Sequence, residues 1–112
     1  MLIEHGVISG TSPAHISWVL DEWAKTPVHV LQGVAETLDG ADTTPLLPQV
    51  KAPTLILAPS RSPITSLSEQ VKMRALIPNA SIAVVEGPGH EIYVDRADEC
   101  INAFLKFLSR LT

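Results

Sequence analysis

Only one cysteine, Cys100, occurs in the 112 residues. A lone thiol excludes an internal disulfide and suits a reducing compartment, so cytoplasmic residence is expected. Basic residues are few: Lys and Arg number 8 against 12 Asp and Glu, a formal net charge of −4. Without a block of basic residues, a nucleic-acid partner is not expected. No apolar run approaches the roughly 20 residues of a membrane span, so no membrane partner is expected either. The first residues, Met1-Leu-Ile-Glu-His5, lack the basic head and apolar stretch of a secretory leader. There is no phosphate-cradling glycine loop and no cluster of residues at metal-ligand spacing, so neither cofactor nor metal is expected. Internal repeats and low-complexity tracts are absent.

What is present points to a globular chain. Hydrophobic residues make up 46 % and charged residues 18 %, and the length suits one domain rather than two. Met1–Ser9 is short and apolar, and periodicity cannot assign so few residues. Ser12-Pro13 then reads as an N-cap with proline at the first helical position, where its missing N–H costs nothing. Ile16, Val19, Leu20 and Trp23 follow at helical spacing up to about Lys25. Thr26-Pro27 repeats the start signal. Val28, Leu31, Val34, Ala35 and Leu38 give a second helix, which Asp39-Gly40 ends. From Ala41 to Lys51 the chain is a connector, because Pro45 and Pro48 exclude a regular helix or a central strand.

The organising stretch runs from Pro53 to Glu91. Two apolar runs, Thr54–Ala58 and Ile82–Val85, are each bounded by Pro or Gly. Leu55-Ile56-Leu57 is continuously apolar rather than alternating, the habit of parallel strands buried on both faces. Between the runs, Ser66-Leu-Ser-Glu69 is a capping box that starts a helix ending before Pro78. Val71, Ala75 and Leu76 are expected to face the sheet. The unit is strand–helix–strand with a right-handed crossover. A final helix is expected from Asp95, taken as its N-cap, with Ala97, Ile101, Phe104, Leu108 and Leu111 facing the core. Two parallel strands alone are too few for a stable sheet, so further strands from more sequence or another chain are expected beside them.

His90 sits just past the second strand. Loops at the carboxyl ends of parallel strands are where open α/β sheets hold their ligands. The surrounding residues resemble a known family. Pro53-Thr-Leu-Ile-Leu, the loop Ser60-Arg-Ser-Pro-Ile-Thr, Ile77-Pro-Asn-Ala80, and Val84-Val-Glu-Gly-Pro-Gly-His90 followed by Asp95 resemble the C-terminal third of the α/β-hydrolase fold. The ordered match covers about Leu46 to Leu111. On this resemblance residues 1–45 are a helical cap-like segment and connector, and residues 46–112 are the C-terminal β-α-β-α part of an incomplete domain.

The resemblance implies a Ser–His–acid triad in the chain order nucleophile, acid, histidine. His90 matches the histidine, a general base to the nucleophile and then a general acid to the leaving group. Gly87 and Gly89 would let the backbone turn sharply to set its ring. Two departures from the family pattern stand out. The chain has no G-x-S-x-G nucleophile elbow; Gly10-Thr-Ser-Pro is the nearest fragment. And Ser62 stands where the family loop carries its aspartate, although a hydroxyl supplies no negative charge to an imidazolium. Some family members carry the acid at the end of an earlier strand, so the resemblance implies either an acid from outside this chain or a degenerate site; Asp39 and Asp42 are the nearest substitutes in sequence. Trp18 and Trp23 would lie in the region that roofs the family's substrate pocket. The blander readings are a hydrogen-bonded turn for His90, loop hydroxyls for Ser60 and Ser62, packing for the tryptophans, core for Cys100, and helix or surface positions for His5, His15 and His29.

Two functions follow from the resemblance. One is hydrolysis of an ester, lactone, amide or carbon–carbon bond of a small apolar substrate. The nucleophile would then come from the rest of the domain or from a partner chain completing the sheet, so this chain alone is expected to be inactive. The other is a non-catalytic truncated or degenerate relative that binds a partner chain through its open sheet edges.

Overall fold

The computed structural model describes residues 12–112; the reading of Met1–Ser9 and the position of His5 fall outside them. The described residues form helix α1 (Pro13–Ala24), helix α2 (Val28–Leu38), strand β1 (Thr54–Arg61), helix α3 (Leu67–Leu76), strand β2 (Ala80–Pro88), the short helix α4 (Ile92–Asp95) and helix α5 (Ala97–Ser109). Ser12 caps α1 as its sequence requires: its Oγ accepts from the His15 amide at 3.2 Å, and Pro13 opens the first turn. Helix α2 ends at Asp39, and Gly40 follows at φ 72°, a conformation glycine adopts without steric cost. In the connector the prolines exclude an α-helix but not a tighter coil, and Thr44–Gln49 forms a 3₁₀ helix that includes Pro48.

Strands β1 and β2 pair in parallel, with Thr54 opposite Ala80 and Pro59 opposite Val85. Both run three residues beyond the apolar stretches that marked them. Helices α3 and α5 both pack on the strand pair. The buried apolar residues are Ile56, Ala58, Ile77, Val85, Ile92 and Cys100. Val85, Ile92 and Cys100 form one cluster, with Leu57 packed against it. This cluster ties β2, α4 and α5 together directly beneath the turn that carries His90.

Both packing helices are rotated relative to their sequence expectation. On α3 the inward side is Gln70, which is buried, and Met73, with buried Ile77 just beyond the last turn. Val71 and Leu76 are exposed, as is Ala75. Gln70 is accommodated because its amide nitrogen reaches Thr65 Oγ1 and the Ser66 carbonyl, each at 3.5 Å. On α5 the inward side is Cys100, Ala103 and Phe107. Ile101, Phe104, Leu108 and Leu111 face out, with Phe104 48 % exposed. Periodicity found one apolar stripe of α5, but the strand pair packs on the neighbouring one, and of the residues expected inward Ala97 alone is half-buried. Asp95 is not the N-cap of the long helix. It closes α4, and Arg96 is the residue between the two helices.

Candidate active site

The site is built where β1 and β2 end. Ser62 follows β1 directly. Its Oγ accepts hydrogen bonds from the backbone N–H groups of Ile64 and Thr65, both at 3.0 Å. This is a local side-chain-to-backbone turn of the kind serine favours after a strand. It curls the loop so that α3 starts five residues later, capped by Ser66 Oγ on the Glu69 amide at 3.2 Å. The Glu69 side chain turns away to pair with Lys72 at 2.7 Å, an exposed i,i+3 pair.

On the other strand the ladder slips. The offset between partners grows from 26 residues (Thr54 opposite Ala80) to 27 (Arg61 opposite Pro88). One extra residue of β2 is therefore absorbed between Val85 and Pro88, a bulge of the sort found beside functional sites. Ser60 stitches the bulge closed: its Oγ accepts from the Gly87 amide at 3.0 Å and lies 3.4 Å from the Gly87 carbonyl. Gly87 has φ 134° and Gly89 has φ 96°, both in the region that side chains rarely enter. Arg96 lies against this turn. Its Nη2 donates to the Pro88 carbonyl at 2.8 Å. A Cβ placed on Gly87 would stand 2.7 Å from Arg96 Nη1, so only glycine leaves the guanidinium room there.

These constraints bring His90 to Ser62. The His90 Nδ1 and Ser62 Oγ atoms are 2.9 Å apart across 28 residues of sequence, and both side chains are half-buried. The His90 carbonyl accepts from the Ile92 amide at 2.9 Å, so α4 begins at once and anchors the turn through buried Ile92.

A cleft opens where α1 meets the residues that follow His90. Its volume is about 260 Å³, and it is lined by Trp18, Val19 and Trp23 of α1 and by Glu91, Tyr93 and Val94. His15 completes the wall, its ring 5.8 Å from that of Trp18 and tilted by 37°. The lining is mostly apolar, with the Glu91 carboxylate and the His15 imidazole among it, the usual make-up of a small-molecule pocket. Trp18 is 58 % exposed and Trp23 47 %, so neither is a core packing residue within the described structure.

Comparison with known proteins decides the lineage. A family model described as TAP-like protein, one of the α/β-hydrolase models, matches residues 34–110. The chain belongs to the α/β-hydrolase family. The match takes in Ser62, the bulge, His90 and α5, and leaves α1 with its tryptophans outside. ABHD14B of Rattus norvegicus, named as a candidate protein-lysine deacylase, is 40 % identical over 63 residues, which cover 56 % of this chain and 29 % of that protein. The crystal structure of a bacterial membrane phospholipase A, described as a virulence factor, superposes with a TM-score of 0.76 at 28 % identity. It covers 92 % of this chain and 34 % of that one. The chain thus spans about a third of the length of the relatives it matches, and its fold is a partial α/β-hydrolase fold.

Among the described residues of this α/β-hydrolase-family chain, no group of three or more His, Cys, Asp or Glu could hold a metal ion, and no helix is long and apolar enough to cross a membrane. The other residues nominated from sequence lie apart from the pair. Asp42 accepts from the Thr44 amide at 2.9 Å. Hydrogen bonds from the Thr44 side chain and then its backbone hold the Asp42 carboxyl below the usual range. Asp39 is the exposed C-cap of α2. Cys100 is buried, and burial foremost, then the neighbouring Glu99, pushes its thiol up while Arg96 opposes; a thiol so held is a poor nucleophile. Sequence reading passed over Arg96 and gave Ser60 no part in the turn. A signal for Ser60 existed: a hydroxyl one residue before a strand end, opposite a glycine-rich turn, is suited to replace a missing ladder bond.

Proposed function

We propose that the complete protein is a hydrolase that cleaves an acyl bond, ester or amide, of a small apolar substrate, with His90 as its proton-transfer residue. The observation that carries this reading is the 2.9 Å approach of His90 Nδ1 to the side chain at position 62. That position is the one where the family pattern puts the acid. The named activities of the two relatives, a phospholipase and a lysine deacylase, are both acyl hydrolyses, which supports the choice of bond. The apolar cleft beginning at Glu91 supports the substrate class.

In this reading water and the acyl compound give an acid and an alcohol or amine. His90 takes the proton of the attacking hydroxyl as the acyl carbon is bonded, then returns it to the leaving oxygen or nitrogen. The nucleophile and most of the oxyanion hole would come from outside these 112 residues, since no G-x-S-x-G occurs in them. Trp18 and Trp23 would line the acyl pocket. His90→Ala in the complete protein is expected to lower kcat/KM for a short-chain aryl ester by roughly a thousandfold or more. Unaltered hydrolysis would refute the reading.

The second reading, a non-catalytic relative that binds a partner through open strand edges, is favoured by the hydroxyl at position 62. The same assay separates the two. Hydrolysis that His90→Ala abolishes excludes the second.

A further inference from the structure

The structure assigns Ser62 a role opposite to that of the residue it replaces: it holds the proton of the neutral His90 ring on Nε2. This inference rests on the proposed place of His90 in hydrolysis only for its consequence. The assignment itself follows from counting hydrogens.

Ser62 Oγ has three close partners: the amides of Ile64 and Thr65, each at 3.0 Å, and His90 Nδ1 at 2.9 Å. A backbone N–H can only donate. Those two amides therefore take both acceptor sites of the hydroxyl oxygen. What remains is its single hydrogen, and the single remaining partner is Nδ1. The hydroxyl therefore donates to Nδ1, which must be the bare nitrogen, and a neutral imidazole then carries its proton on Nε2. The opposite arrangement would bring three hydrogens onto one oxygen and leave the hydroxyl proton without an acceptor in the triangle.

A carboxylate in the same place does the reverse. It has no proton to give, so it accepts from the two amides and from Nδ1–H, and leaves Nε2 bare to act as a base. With Ser62 in place, the ring offers Nε2 as a donor. It can serve as a base only after Nε2 yields its proton to water and Nδ1 takes one up, against the hydrogen-bond count just given. Ser62 is thus a positioning residue that sets the tautomer and slows proton abstraction.

Imidazole ¹⁵N shifts of the full chain, recorded above pH 8, read the tautomer directly. His90 is assigned by the signals lost in His90→Gln. The wild type is expected to show a bare-type Nδ1 and a protonated-type Nε2. Ser62→Thr is expected to keep that pattern and Ser62→Ala to show a mixture of tautomers. Ser62→Asp is expected to show the reversed pattern and, in the complete protein, to raise kcat/KM for the aryl ester roughly tenfold or more, since a misplaced imidazole proton can cost up to about 10⁴. Protonated Nδ1 in the wild type overturns the assignment without need of any variant. So does an unchanged tautomer in Ser62→Ala. The expected tautomers without hydrolysis in either the wild type or Ser62→Asp would uphold the assignment and sink the proposed activity instead.

Discussion

Gly87 meets two demands with one missing side chain. Its φ of 134° is costly for any other residue, and the space its Cβ would fill holds the Arg96 guanidinium. Arg96 is the far end of a flexible chain and can swing aside, but the backbone cannot. Gly87→Ala is therefore expected to destabilise by about 1–3 kcal/mol through backbone strain alone, read as a lowered urea midpoint at unchanged m. Truncating Arg96 to Ala in the same background should recover little of the loss; full recovery would show that the clash, not the backbone, was the cause. At this scale the place of His90 past the second strand was legible, because the Gly-Pro-Gly turn marks where that strand ends. Arg96 was not, because a lone arginine six residues on carries no sequence mark that it folds back onto Pro88.

Among the elements, starts were legible and rotations were not. Ser12 and Ser66 each cap the helix they announced, because a cap is a contact over three residues and needs nothing from the rest of the fold. Ser66→Ala is expected to cost about 1 kcal/mol in denaturant unfolding. Its effect on hydrolysis should be small, since the loop at Ser62 keeps its own amide bonds. An undiminished stability would mean that the cap is redundant with the Gln70 contacts. Helix rotation is different, because it is chosen by what lies opposite. Helix α5 offers two apolar stripes. Only the strand pair decides between the side of Cys100, Ala103 and Phe107 and the side of Ile101, Phe104 and Leu108.

For the whole molecule, that choice leaves much apolar surface facing water. Val28 is 68 % exposed and Leu38 65 %, and the large residues of α5 add a second uncovered side. Scattered apolar residues on a surface are ordinary, but contiguous ones mark an interface. The described sheet has two strands, fewer than an independent sheet normally needs. The 112-residue chain is therefore expected to associate in a concentration-dependent way in sedimentation velocity and to bind a hydrophobic dye. A monomer that stays soluble and unfolds in one sharp urea transition would contradict this. The expectation of more strands was visible in the sequence, because both apolar runs read as buried on two faces. Which strands they are was not, since pairing partners leave no trace in the edge they would cover.

The slip in the strand ladder also says where the chain can change length. Residues pair 26 apart below Pro59 and 27 apart at Arg61, while the Ser62 and His90 side chains meet at 28. A residue added or lost between Gly87 and His90, or between Ser60 and Ser62, would move one partner along its strand direction by roughly 3.3 Å, more than a hydrogen bond can follow. The same change in the Pro78-Asn79 turn shifts neither. Insertions and deletions among natural or engineered versions of this chain should therefore collect in that turn and around the 3₁₀ segment, and the strand ends should keep their count even where their residues vary.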